Sequence, residues 1–219
     1  MNREQGLQEL ERTRIIAILR GVKPEAITRT AQALLAGGVT VMEVTLNSAG
    51  ALDMIRELQQ TVGSRMYIGA GTVLDLQDAH DALDAGAAFL VTPNTDEEVI
   101  RFAVQQNIPV FPGAMTPTEI VKAWKAGAHA VKIFPSTGLG LPYIRELMGP
   151  LNAVPMVAVG GVTARNVADF LGAGCCAVGI GSSICKLGDI EAGRYDLITE
   201  NARAFTSAVT NWREAAWTR

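Results

Sequence analysis

Four stretches of this chain follow one plan: "LLAGGVTVMEV", "LDAGAAFLV", "WKAGAHAVKIF" and "LGAGCCAVGI". In each, a helical run ends in Ala-Gly, a short turn follows, and an apolar strand begins. Gly37, Gly86, Gly127 and Gly174 suit the left-handed position that ends a helix. Repetition of one helix-to-strand joint implies a repeated β-α unit. Extended along the chain, the pattern predicts eight strands, near residues 15–20, 39–46, 66–71, 88–92, 108–112, 129–134, 155–160 and 176–181. The helices between them open at "KPEA", "NSAG", "DLQDA", "TDEEV", "TPTEI" and "TARNV", segments with the residue types that cap helix N-termini. A helix precedes the first strand, and a long one near 190–217 closes the chain. Eight such units in 219 residues predict an α/β fold, a (β/α)8 TIM barrel with an extra N-terminal helix, in a single domain spanning 1–219. An open, doubly wound sheet is the alternative.

Composition narrows the function. With 48% apolar and 19% charged residues and a net charge of −3, the chain has material for a large core and no basic run, which argues against nucleic-acid binding. Its three cysteines, Cys175, Cys176 and Cys185, are too few and too unevenly spaced for a disulfide framework, so they read as packing residues in a reducing cytoplasm. The charged, helical "MNREQGLQELERTR" does not resemble a signal peptide, and the apolar runs are too short to span a bilayer. Two histidines, His80 on a helix surface and His129 at a strand start, offer no metal-ligand spacing. Trp212 and Trp217 of the last helix read as packing residues, against the body or a neighbouring subunit.

Two charged residues sit inside strands. In the sixth expected strand, Ala130, Lys132 and Phe134 share one face, and Val131 and Ile133 share the other. Because the uniformly apolar face must pack on helices, Lys132 points into the barrel. In the second strand, Val41, Glu43 and Thr45 share a face, so Glu43 points inward too. A buried ion pair, or a solvated lysine at the rim, would be the structural explanation, although such a pair is a weak stabiliser. The chemical explanation is that a low dielectric lowers the lysine pKa. The neutral amine can then attack a carbonyl to make a Schiff base while Glu43 moves protons.

The last two strands run into glycine. "VAVGGVTARN" carries Gly160 and Gly161, and "VGIGSSI" carries Gly179, Gly181, Ser182 and Ser183. Glycines in these two turns let backbone N–H groups approach a phosphate. "YIGAGTV" (Gly69, Gly71, Thr72) lacks the spacing of a dinucleotide loop and reads as tight turn packing. Arg20 closes the first strand. It serves either as a bidentate anchor for an anionic group or as a plain surface arginine.

"EVTLNS", "IGAGTVLD", "VTPN", "FPGAMTPTE", "VKIFPS", "AVGGVT" and "GIGSS", in order from about residue 12 to 205, resemble the pyruvate-dependent class I aldolases that cleave 2-keto-3-deoxy-6-phosphosugar acids. That family includes the 6-phosphogluconate, 6-phosphogalactonate and 4-hydroxy-2-oxoglutarate enzymes. The resemblance implies a Schiff-base Lys132 and a proton-transferring Glu43. It implies a pyruvyl pocket at Thr72, Pro93 and Phe134, and phosphate contacts at Gly160, Gly161, Gly181 and Ser182. It also implies a homotrimer needing no metal or other cofactor. Asn47 and Val159 depart from the gluconate-type pattern, which often has arginine and threonine there, and look closer to the galactonate type. An apolar side chain in place of a hydroxyl partner could tilt selectivity between C4 epimers. The departure at Asn47 leaves Arg20 as the replacement carboxylate anchor. The expected reaction is therefore cleavage of 2-keto-3-deoxy-6-phosphogalactonate, with the gluconate epimer or 4-hydroxy-2-oxoglutarate as alternatives. Other classes compatible with the residues are a phosphosugar isomerase or epimerase using Glu43 as base, and a non-catalytic phosphosugar sensor.

Overall fold

A single parallel sheet organises the chain. The computed structural model describes residues 1–217, with side chains to residue 215, so the Trp217 side chain lies outside the described residues. Nine strand segments pair in the order β5-β4-β3-β2-β1-β9-β8-β7-β6. They are β1 (Ile15–Leu19), β2 (Val41–Thr45), β3 (Tyr67–Gly71), β4 (Leu90–Val91), β5 (Val110–Phe111), β6 (Gly113–Ala114), β7 (Val131–Ile133), β8 (Met156–Val159) and β9 (Ala177–Ile180). The two ends of that order, β5 and β6, are separated in the chain by Pro112 alone, so the covalent chain closes the ring. Of the fifth expected strand, 108–112, only Val110–Phe111 forms, and β6 lies beyond it across Pro112. Pro112 has no N–H to donate, but its carbonyl accepts from the Lys132 N–H at 2.8 Å.

The helices are α1 (Arg3–Thr13), α2 (Pro24–Ala36), α3 (Ala51–Thr61), α4 (Leu76–Asp84), α5 (Glu97–Gln105), α6 (Pro117–Lys125), α7 (Ser136–Met148), α8 (Val167–Gly172), α9 (Leu187–Glu191) and α10 (Tyr195–Trp217). Asp75, Asp96 and Thr116 cap α4, α5 and α6 through their side chains, the last in a reciprocal pair with Glu119. Pro24 stands at the first position of α2. Two expected caps fail. Gly50 opens α3, because Ser48 is used instead to accept from the Gly21 N–H at 2.8 Å. Ahead of α8, Asn166 ties the preceding loop, accepting from Thr163 N–H and donating to Gly161 O.

Two further expectations need correction. Gly86, Gly127 and Gly174 are left-handed, but at the first joint Gly38 takes that conformation (φ 87°) and Gly37 does not (φ −88°). Gly37 is needed for closeness: a Cβ there would lie 2.4 Å from the Cβ of Ala202 on α10. The expected 190–217 helix is also interrupted, because Gly193 turns left-handed (φ 70°) between α9 and α10. Trp212 packs on the helical layer.

Alternation divides the buried residues into two layers. Met42, Val44, Val131, Ile133, Met156, Ala158, Val178 and Ile180 join the helices in the outer layer. Ile16, Val41, Tyr67, Phe89, Phe111, Ala130, Val157 and Ala177 fill the barrel, and Leu10 of α1 closes its N-terminal end. Around that end Tyr67 stacks on Phe89, and Phe89 meets Phe111 and Phe111 meets His129 edge to face, with centroids 5.0–5.7 Å apart. Gly69 makes room for Phe89, whose ring atoms would come within 2.4 Å of a Cβ on Gly69.

Candidate active site

Lys132 lies at the centre of β7, paired in register with Gly113 on one side and Val157 on the other. Only 4% of it is exposed. Its Nζ stands 4.6 Å from the centroid of Phe134, two residues on along the same face. Glu43, on β2, is 2% exposed. Neither belongs to any of the four salt bridges among the described residues, so each answers to burial before it answers to a partner. Burial pushes the Lys132 pKa below the ordinary lysine value; the Glu43 charge opposes this and the Arg20 charge adds to it. Burial pushes the Glu43 pKa up, against the opposing pull of Lys132 and Arg20. Both shifts favour the neutral forms, a free amine and a carboxylic acid.

Gly71 shapes the place where Glu43 sits. A Cβ at Gly71 would lie 2.5 Å from Glu43 Oε1 and 2.6 Å from its carboxyl carbon. The next residue, Thr72, is left-handed (φ 57°). A β-branched residue there is strained by about 1–3 kcal/mol, strain held at the strand end that supports the carboxylate.

Lys132 and Phe134 open into a cavity of about 610 Å³ at the C-terminal ends of the strands. Arg20, Val159, Gly160, Gly161, Gly181 and Ser182 share its wall. Gly160 and Gly161 both adopt positive φ, 107° and 71°, which only glycine takes without strain. The first turn of α7 meets them: a Cβ at Gly160 would lie 2.9 Å from Thr137 Oγ1 and 3.3 Å from the Ser136 nitrogen. The turn after β9 closes with the N–H groups of Ile184 and Cys185 donating to Gly181 O at 3.1 and 3.0 Å. Ser182 and Ser183 remain on the cavity wall. α7 is broken at Gly140 (φ 66°), so a single helical turn meets the glycine pair, and its N–H groups with the bare glycine backbone form an environment that favours an anion.

Arg20 is exposed. Its loop is fixed because Ser48 Oγ takes the Gly21 N–H and lies 3.0 Å from Thr45 Oγ1. Glu43, Thr72, Pro93 and Asn47 are not on the wall of the 610 Å³ cavity. Glu43 is enclosed beside Gly71, and Thr72 and Pro93 follow β3 and β4. Pro93 nevertheless abuts the lysine's neighbour, since its carbonyl oxygen would be 2.3 Å from a Cβ on Gly113. Asn47 is exposed in the turn after β2. Thr137 escaped the sequence reading because nothing in "FPSTG" marks a hydroxyl that the fold carries to a glycine pair more than twenty residues away.

The other candidates are quieter. Cys175 and Cys185 are buried and Cys176 is half-buried; all are free. Burial pushes their thiols to about 12, about 12 and about 11 respectively, so none is a thiolate near neutrality. His80 is exposed on α4 and lies against Phe102 at 4.3 Å. No group of three His, Cys, Asp or Glu side chains that could hold a metal occurs among the described residues. No helix among them is long and apolar enough to cross a membrane.

The model of the KDPG and KHG aldolases matches residues 7–201. The chain belongs to that family. Like the rest of the family it is a carbon–carbon lyase. It is 38% identical over 202 residues to the 2-dehydro-3-deoxy-6-phosphogalactonate aldolase of Escherichia coli K12, covering 92% of this chain and 95% of that one. A solved structure described as native KDPGal superposes with a TM-score of 0.86 at 36% identity, covering 91% of this chain and 96% of the other. A KDPG aldolase from Legionella pneumophila, with pyruvate captured as a covalent carbinolamine, superposes with a TM-score of 0.84 at 29% identity, over 90% of this chain and 96% of the other.

Proposed function

We propose that this aldolase cleaves 2-keto-3-deoxy-6-phosphogalactonate to pyruvate and D-glyceraldehyde 3-phosphate through a Schiff base on Lys132. One observation carries the reading. A buried lysine, its pKa pushed down, opens into the same cavity as two glycine turns that can receive a phosphate. Neutral Lys132 adds to the C2 ketone, and loss of water gives the iminium. The iminium withdraws the electron pair of the breaking C3–C4 bond. Glu43, through a water, takes the C4 hydroxyl proton as the aldehyde forms. The resulting enamine is protonated at C3, and hydrolysis of the imine releases pyruvate and the free amine. A carboxyl group with a raised pKa suits both directions of proton transfer.

Phe134 packs on the pyruvyl part, with Thr72 and Pro93 completing its wall on the Glu43 side. Arg20 binds the substrate carboxylate. Gly160, Gly161, Gly181 and Ser182 hold the phosphate. Val159, buried at the end of β8, and Asn47 favour the galactonate configuration at C4. The relative at 38% identity carries the galactonate name. The gluconate epimer is the second reading, favoured by the 2-dehydro-3-deoxy-phosphogluconate aldolase of Pseudomonas aeruginosa at 37% identity over 72% of this chain. We further read the chain as one barrel domain, acting in the cytoplasm as a homotrimer.

Borohydride reduction in the presence of pyruvate should fix a pyruvyl adduct on Lys132, located by peptide mass spectrometry. An unmodified lysine would instead favour an isomerase or a binding protein. Comparing kcat/KM on the two C4 epimers decides the substrate: preference for the gluconate epimer would overturn the galactonate assignment.

A further inference from the structure

A second cavity, of about 520 Å³, lies at the opposite, N-terminal end of the barrel, under α1. Its floor is the barrel core itself, Phe111, Ala130 and Ala177, and Leu7 and Leu10 of α1 form an apolar wall. Arg14 stands in the same wall, and its placement is unusual on three counts. It ends α1 in the left-handed conformation (φ 58°), a position where glycine is usual and other residues are strained. Its backbone is pinned on both sides, N–H to Leu10 O at 2.8 Å and C=O to the Val178 N–H at 2.9 Å. Among the described residues its guanidinium has no carboxylate partner, and Nη1 donates to Cys176 O at 2.9 Å. Arg14 Nε is the one buried side-chain nitrogen or oxygen among the described residues without a hydrogen-bond partner.

Arg14 is half-buried; with Nε closed off and Nη1 given to Cys176 O, Nη2 is the donor that an acceptor in the cavity can reach. The surrounding charges limit what the acceptor can be. Arg3 also lines the cavity, but so do Glu4 and Glu11, which repel a doubly charged group. His129, at the edge, is held below its ordinary pKa by burial and by Arg3, so near neutral pH it brings a hydrogen-bonding group rather than a charge. A single carboxylate on a flat apolar body matches this arrangement: the body covers Phe111 and Ala130, and the carboxylate meets Arg14. We propose that the N-terminal cavity is a binding site for a small aromatic or branched monocarboxylic acid, separate from the Lys132 cavity.

Benzoate is the probe, with benzamide as its uncharged counterpart and inorganic phosphate as the dianionic control. Titration of the full chain, labelled with ¹⁵N, should give saturable benzoate binding with a Kd of about 1 mM. Amide shifts should fall at Leu7, Ala130 and Ala177 rather than at Gly160 and Ser182. Arg14→Met should weaken binding about tenfold or more. Read from the Leu7, Ala130 and Ala177 shifts, benzamide and phosphate should bind this cavity no better than Arg14→Met binds benzoate, phosphate shifts being expected at Gly160 and Ser182 instead. Leu7→Trp, which fills the cavity from α1 and removes no hydrogen bond of the Arg14 site, should also abolish binding and serves if Arg14→Met does not fold. The proposal is overturned by any of three results: no saturation below about 20 mM benzoate, shifts confined to the Arg20 end, or equal binding by benzamide or by the folded variants.

Discussion

Tyr67 and Gly71 stand on the same inward face of β3, four residues apart, and they do opposite things. At the N-terminal end, the Tyr67 ring stacks on Phe89 at 5.0 Å. Gly6 of α1 lies so close that a Cβ there would be 2.1 Å from the ring. At the C-terminal end, Gly71 gives up its side chain so that the Glu43 carboxyl can occupy the space. One end converts apolar area into stability. The other holds an acid and an amine in a dry place, where buried charge is expensive and a buried pair is no reliable source of stability. The barrel thus separates, along one strand, the residues that keep it folded from those assigned to the chemistry.

If that separation is real, substitutions at the two ends should fail in different ways. The largest effect is expected for Lys132→Met. It should lower the cleavage rate by at least about 10⁴-fold, equivalent to about 5.5 kcal/mol, while leaving the thermal transition near that of the parent. Phe89→Ala should do the reverse. It should cost about 3–5 kcal/mol of stability in a denaturant titration, yet kcat/KM per folded molecule should stay within about threefold, because the ring lies away from the mouth.

Gly71→Ala should cut kcat by about 10²-fold or more, the scale of a displaced proton-transfer group. Pyruvate trapping on Lys132 should persist in that variant. Loss of trapping as well would mean that Gly71 supports the whole mouth rather than the carboxylate.

The smallest effect is a shift in pH dependence. Imine formation needs the neutral amine, so the trapping rate should rise with pH and level off below the ordinary lysine pKa of about 10.5. Arg20 lowers the Lys132 pKa and Glu43 raises it. Arg20→Met should therefore move the rising limb to higher pH, and Glu43→Gln should move it to lower pH. Shifts of the opposite sign in both variants would disconnect these charges from the amine.

Much of the barrel was legible because its signals are local. Ala-Gly joints end helices through backbone conformation, Asp75, Asp96 and Thr116 cap through neighbours three residues away or fewer, and period-two alternation assigns Lys132 and Glu43 to the interior. The misreadings arose where a distant segment intervened. Gly37 was kept bare by Ala202 rather than by its own φ. Ser48 was drawn away from α3 by Gly21. Thr137 reached the glycine pair only through the docking of α7 beside β8.

The sequence by itself determined which residues face inward and where each helix gives way to a strand, because period and backbone propensity act over a few residues. Only the tertiary structure decided that Glu43 rests on Gly71, that Pro112 closes the ring, and that Arg14 donates to the Cys176 carbonyl. Those facts depend on which strands become neighbours, and burial and charge act through space rather than along the chain.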